Sequence, residues 1–133
     1  DLDQESNLIN ALVALAKAKS INSAHDISDG GLAVNIAESC LINRTLPIGC
    51  NVNISYSGRP DFHLFNESQG RAVISFSKEN EEIVQEICNN NNIAYLNIGK
   101  TGGNAIVINK EVNIPLEIEK DAYYNSISQI MEN

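Results

Sequence analysis

Residues 21–41 read INSAHDISDGGLAVNIAESCL, and the hydropathy changes period in the middle of that stretch. Ile21 to Ile27 reads as a short strand leading into an Asp, Ser and Gly cluster. From Gly31 to about Asn43, Leu32, Ala33, Ile36, Ala37, Cys40 and Leu41 share one side at helical spacing, and Pro47 with Gly49 marks the stop. A strand is thus handed to a helix through a pair of glycines, and the flanking segments continue the mixture. Upstream, Leu8, Ile9, Leu12, Val13, Leu15 and Ala16 predict a helix from about Gln4 to Ala18, with Asp3 as its N-cap.

Downstream, Asn51 to Tyr56 alternates apolar and polar residues as a half-buried strand does, and Ser57 to Pro60 is a loop. Arg71 to Phe76 is a further strand. Ser77 opens a helix with an acidic first turn (Glu79, Glu81, Glu82), the sign the helix dipole favours, and an apolar stripe of Ile83, Val84, Ile87 and Cys88. Asn89 to Asn92 ends it. Ile93 to Ile98 and Ala105 to Ile108 read as strands joined by a hairpin or bulged turn over Gly99 to Gly103. Val112 to Ile118 is one more strand, confined to an edge by Pro115. A last helix, Asp121 to Met131, presents Tyr123, Ile127, Ile130 and Met131 on one side. The expected architecture is α+β, with helices layered on a mainly antiparallel or mixed sheet, in one domain over residues 1–133.

The composition excludes several classes of function. With 133 residues, 43% of them hydrophobic, the chain can bury one domain core and is not a disordered tract. Nine basic residues against seventeen acidic ones leave a net charge of −8, which argues against a nucleic-acid or anionic-membrane surface. No apolar run approaches the roughly 20 residues of a spanning helix. The three cysteines, Cys40, Cys50 and Cys88, show neither zinc-ligand spacing nor a disulfide framework, so buried structural thiols in a reducing cytosolic compartment are expected. The first residue is Asp1, not Met, from which a processed or excised piece of a longer chain is expected.

Two clusters could carry chemistry. His25, Asp26, Ser28, Asp29, Gly30 and Gly31 lie at a strand end where a helix begins, and free N–H groups at such a start can hold an anion. The carboxylates would repel a phosphate unless Mg²⁺ intervened. The alternative is that Ser28 or Asp29 caps the helix and His25 packs locally. The second cluster, Glu67, Ser68, Gln69 and Arg71 ahead of a strand, either hydrogen-bonds a polyhydroxylated or phosphorylated ligand or holds a local Glu67–Arg71 ion pair. Thr101-Gly102-Gly103 has no phosphate-loop spacing, and His63 no matching ligand pattern. No nucleophile elbow or H-E-x-x-H stretch exists, so no complete active site is expected.

AHDISDGGLA (residues 24–33) with Glu38 after it, LFNESQGRAVIS (64–75) and IGKTGGNAIVI (98–108) resemble, in this order, segments of the phosphoribosylformylglycinamidine synthase family. The resemblance covers essentially the whole chain. It is to the C-terminal domain shared with aminoimidazole ribonucleotide synthetase, and it implies that domain's fold. The first of the two copies in the synthase typically reads Gln-Asp-Met-Gly-Ala-Ala-Gly-Leu where this chain has His25 to Leu32, so the resemblance is to the second copy. The form of Glu67 to Arg71 resembles the small, multi-subunit type.

The resemblance implies an ATP-dependent ligase of de novo purine biosynthesis. ATP phosphorylates the formamide oxygen of formylglycinamide ribonucleotide, and ammonia from glutamine displaces the phosphate to give the amidine. Nucleotide and Mg²⁺ ligands and the catalytic His lie mostly in the N-terminal type of domain, so the resemblance places no catalytic residue here. It makes Glu67, Ser68, Gln69 and Arg71 substrate-binding candidates, and His25, Asp26, Ser28, Asp29, Gly30 and Gly31 anion-site candidates. ATP and Mg²⁺ are expected with the full-length enzyme and none with the isolated piece, which is expected to be inactive. Expected partners are N-terminal ATP-binding domains of the same chain, a glutaminase subunit and a small bridging subunit, in the cytoplasm, with no nucleic acid or membrane. A domain of aminoimidazole ribonucleotide synthetase, or a purely structural module, is the alternative.

Overall fold

A computed structural model describes residues 2–131; the side chain of Ile127 lies outside that description. Helix α1 (Leu2–Lys17) leads to strand β1 (Ser23–Asp26), helix α2 (Gly31–Leu41), strand β2 (Cys50–Val52) and a short helix α3 (Pro60–Leu64). Strand β3 (Ala72–Ser75) and a 3₁₀ turn (Lys78–Asn80) precede helix α4 (Glu81–Asn90). Strands β4 (Gly99–Thr101), β5 (Ala105–Ile108) and β6 (Val112–Pro115) and helix α5 (Leu116–Met131) complete the chain. The α+β expectation holds: an antiparallel pair β1–β3 stands beside a mixed four-stranded sheet of order β4-β2-β5-β6.

The β1–β3 pair is a partition between two cores. Successive residues of a strand point to opposite faces. Val73 therefore packs on the larger core with Ile27, Leu32, Ile36, Leu41, Leu64 and Ile108, while Ile74 packs on the smaller one around Leu15, Val84 and Cys88. Cross-strand register then decides where β1 side chains go. His25 faces Val73 and Ala24 faces Ile74, so His25 is turned toward α2.

Several predicted elements shift for identifiable reasons. Asp3 stands inside the first turn of α1, where an acid still suits the dipole, and not before it as a cap. The buried line of α1 is Ala11 and Leu15, with Ile9 and Val13 exposed; Leu15 packs in the smaller core with Val84 and Cys88 of α4. Ile83 on α4 is exposed likewise. Residues 93–96 alternate inward and outward as a strand would, but Leu96 and Asn97 are both exposed and no ladder forms over 93–98. Ile93 and Tyr95 reach the smaller core and Ile98 the larger, with one backbone bond from Asn53 N–H to the Ile98 carbonyl.

Gly99 to Thr101 is strand, not turn. β4 and β5 do not pair with each other; β2 runs between them, antiparallel to β4 and parallel to β5. A side chain on Gly99 would run into the Asn51 carbonyl oxygen, so glycine is what lets β4 approach β2. The turn itself is Gly102-Gly103, tied to Gly49 by two backbone bonds across the start of β2. β6 lies at the sheet edge, as Pro115 requires. α5 begins at Leu116, earlier than the predicted Asp121. Its inward residues are consequently Leu116 and Tyr124, leaving Tyr123, Ile130 and Met131 exposed. The Tyr124 hydroxyl donates to the Leu41 carbonyl at 2.6 Å and fastens α5 to the end of α2.

Asn109 extends the sheet with its side chain. At φ 50° it turns the β5–β6 connection, its Oδ1 accepts the Ile54 N–H at 2.7 Å, and its Nδ2 donates to the Ile54 carbonyl at 2.9 Å. Asn109→Ala removes both bonds and places a residue with little tolerance for positive φ there. A loss of about 1–3 kcal/mol is expected, read as a lower urea midpoint at unchanged slope.

Candidate functional site

The two sequence clusters, distant along the chain, meet in space. Gly30 and Gly31 both have positive φ, 80° and 71°, which only consecutive glycines adopt without strain. A β-carbon on Gly31 would lie 2.6 Å from the Phe65 carbonyl carbon and 2.9 Å from the Asn66 nitrogen. The start of α2 is thus pressed against the backbone that opens the second cluster. Glu67 Oε1 accordingly accepts the Gly30 N–H at 2.9 Å. Neither Ser28 nor Asp29 caps the helix: Gly30 is the N-cap and has no side chain to offer. Glu67 takes the part that a capping-box glutamate plays within one helix, from thirty-seven residues away.

Arg71 does not pair with Glu67. Its guanidinium donates to the carbonyls of Asn66 (2.8 Å) and Ser68 (3.3 Å), and the Asn66 carboxamide accepts the Ser68 N–H at 2.7 Å. Residues 66–71 are therefore a self-braced loop, continued into the β1–β3 ladder by the Ile27 N–H to the Arg71 carbonyl. Ser68 and Gln69 are exposed at its tip. Both glycine N–H groups at the helix start are engaged, Gly30 by Glu67 and Gly31 by the Ser28 carbonyl at 3.1 Å.

Behind this surface His25 is held by two residues of α2. Asn35, 2% exposed, donates from Nδ2 to the Asp26 carbonyl (2.5 Å) and lies 2.6 Å from His25 Nδ1. His25 Nε2 faces Glu38 Oε2 at 3.3 Å. Nδ1 is also 2.9 Å from the Asp26 carbonyl and 4.0 Å from the Asp26 carboxylate. The Asn35 Oδ1 has no hydrogen-bond partner. Sequence reasoning missed Asn35, although its position carried a signal: it stands three residues after Leu32 and next to Ile36, on the apolar face.

Asp26, Ser28 and Asp29 are exposed around this start. Among the described residues no three His, Cys, Asp or Glu side chains converge as metal ligands would. His63 lies apart, stacked on Tyr56 at 5.0 Å and 3.0 Å from the Ser57 carbonyl through Nε2. No helix of the described residues is long and apolar enough to cross a membrane.

The family described as AIR synthase related protein, C-terminal domain, matches residues 1–109. The chain belongs to this family. The AIR synthase related domain is 34% identical over 140 residues to "Phosphoribosylformylglycinamidine synthase subunit PurL" of Chlorobium chlorochromatii, covering 98% of this chain and 18% of that relative. It therefore spans less than a fifth of the relative's length. Among solved structures, "Structure of PurLQS from Thermotoga maritima" superposes with a TM-score of 0.75 at 19% identity, over 90% of this chain and 22% of that one. "T. maritima PurL complexed with ATP" gives 0.68 at 17%, over 86% and 21%. At these identities the structures establish the shared fold of the AIR synthase related domain.

The Glu67 clasp makes a checkable statement about the helix start. Glu67→Ala leaves the Gly30 N–H without its acceptor, and a cost of about 1 kcal/mol is expected. Amide exchange at Gly30 should quicken about fivefold or more, while the β2–β5 ladder keeps its protection. Glu67→Gln retains an acceptor oxygen and should lose less.

Proposed function

We propose that this chain is a domain of an ATP-dependent C–N ligase, phosphoribosylformylglycinamidine synthase, which converts formylglycinamide ribonucleotide, ATP and glutamine-derived ammonia to the amidine. The observation that carries the reading is 34% identity to a synthase subunit over 98% of the chain. In this reading the domain supplies an edge of a site that other domains complete. Ser68 and Gln69, at the exposed tip of a braced loop, contact the ligand; Glu67 and Arg71 set the loop's position; and His25, Asp26, Ser28, Asp29, Gly30 and Gly31 form the adjoining wall. ATP and Mg²⁺ are bound chiefly by N-terminal domains of the same protein, and a glutaminase subunit with a small bridging subunit delivers ammonia, in the cytoplasm.

The engaged glycine N–H groups support a wall, since a phosphate at this helix start would have to displace Glu67. The net charge of −8 points the same way: anionic substrate needs cations that this chain does not concentrate.

Two measurements test the proposal. The isolated 133 residues should show no turnover with formylglycinamide ribonucleotide, ammonia and Mg-ATP, and activity there would overturn the view that essential groups lie elsewhere. In the full-length enzyme with its partners, Ser68→Ala and Gln69→Ala should each raise KM for the ribonucleotide about tenfold, the effect of one lost hydrogen bond, with thermal stability unchanged. Unaltered KM in both would assign the loop a structural role instead. Turnover of formylglycinamidine ribonucleotide by the unmodified enzyme would identify an aminoimidazole ribonucleotide synthetase.

A further inference from the structure

Residues 28–31 form a tight turn that carries the one Asp–Gly step in the sequence, Asp29–Gly30, and no Asn–Gly step occurs. The Gly31 N–H donates to the Ser28 carbonyl at 3.1 Å across this turn. Gly30, at φ 80° and ψ −2°, has the third-position dihedrals of a type II or type I′ turn. Asp29 is not among the residues with positive φ, which selects type II. In that turn the second residue, here Asp29, has ψ of about +120°. Its carboxylate is exposed and makes no hydrogen bond or ion pair among the described residues.

An Asp–Gly step is chemically vulnerable, because glycine has no side chain to obstruct attack by its own nitrogen on the aspartate carboxyl carbon. That attack closes a five-membered ring, for which the Gly30 nitrogen must eclipse the Asp29 Cβ about the Cα–C bond. At ψ of about +120° an L-residue instead places that nitrogen on the Hα side, with the carbonyl oxygen nearest Cβ. The peptide must swing round before the ring can close, and, being planar, it carries the Gly30 N–H with it. Glu67 Oε1 holds that N–H at 2.9 Å, a charge-assisted bond. The turn therefore cannot reach the reactive geometry until the clasp opens.

We propose that Asp29–Gly30 is a site of spontaneous aspartate isomerisation, held closed by Glu67. The Gly30 nitrogen bonds to the Asp29 Cγ, and its proton leaves with a carboxyl hydroxyl as water, giving a succinimide. Water then reopens the ring. Where it breaks the bond from the Gly30 nitrogen to the original main-chain carbonyl, the chain continues through Cβ and Cγ and is one methylene longer. Nothing is oxidised or reduced, and water is the only co-reactant. The longer link does not fit this turn, since a β-carbon on Gly31 would already lie 2.6 Å from the Phe65 carbonyl carbon. Isomerisation thus drives the start of α2 away from the 66–71 loop.

The test incubates the full-length protein, its Glu67→Ala and Glu67→Gln variants, and a synthetic peptide of residues 20–44 at physiological temperature and neutral pH. Trypsin releases the same 20–44 segment from the protein, since Lys19 and Arg44 bound it. Isoaspartate at position 29 is read by methyl transfer from protein isoaspartyl methyltransferase and by loss of Asp-N cleavage there, with cleavage before Asp26 as the internal control. The peptide should convert at least about tenfold faster than the folded protein. Glu67→Ala should convert about fivefold faster than the unsubstituted protein, the factor expected for Gly30 amide exchange, because both reactions pass through the same opening. Glu67→Gln, which keeps an acceptor oxygen, should fall between. Conversion of the folded protein at the peptide's rate, or of Glu67→Ala no faster than the unsubstituted protein, overturns the proposal. Should circular dichroism show Glu67→Ala unfolded, the comparison rests on Glu67→Gln, and an unchanged rate there overturns it equally.

Discussion

Much of the molecule's geometry hangs on how closely the backbone at Gly31 approaches the backbone at Phe65 and Asn66. No side chain fits between them, and both glycines at the turn take up φ values that other residues avoid. That approach sets Glu67 on the Gly30 N–H, orients the first turn of α2, and brings a distant polar loop beside the end of β1. Everything α2 does afterwards follows from its direction: it covers the larger core with Leu32, Ile36 and Leu41, grips His25 with Asn35 and Glu38, and anchors α5 at Leu41.

The β1–β3 pair has a second organising part. Two strands alone make a marginal sheet, and this pair persists between two cores because adjacent residues, Val73 and Ile74, serve one each. All four residues of β3 are half-buried in consequence, a pattern distinct from both a solvent-facing strand and a wholly interior one. His25 owes its place to the same alternation. Held from both ring nitrogens, it ties strand to helix, and the exposed polar groups available for contact are further out, at Asp26, Ser28, Asp29, Ser68 and Gln69.

Both local expectations for the polar clusters were reasonable and both were replaced by one tertiary contact. Ser28 and Asp29 precede a helix and are good capping residues, and Glu67 with Arg71 has the spacing of a local ion pair. The cap comes instead from Glu67, and Arg71 braces its own loop. Membership of the AIR synthase related family accounts for why the motif segments occur together. The contact between Gly30 and Glu67 shows what physically links two of them.

Apolar periodicity and residue chemistry by themselves determined where α1, α2 and α4 lie, that strands and helices are mixed, that Pro115 ends on an edge, and that Asn89 to Asn92 stops a helix. These depend on side-chain spacing along a single segment, which is local information. Only the tertiary structure decided that β2 separates β4 from β5, that residues 93–98 lack a ladder, that α5 turns Tyr124 inward, and that Asn35 is buried beside His25. Each is a matter of which segments become neighbours, and a hydrogen bond or buried contact between residues far apart leaves no periodic trace in either segment. The glycine pair at 30 and 31 stands between the two kinds of knowledge: the sequence marked it as a special turn, and the fold supplied the backbone that the turn makes room for.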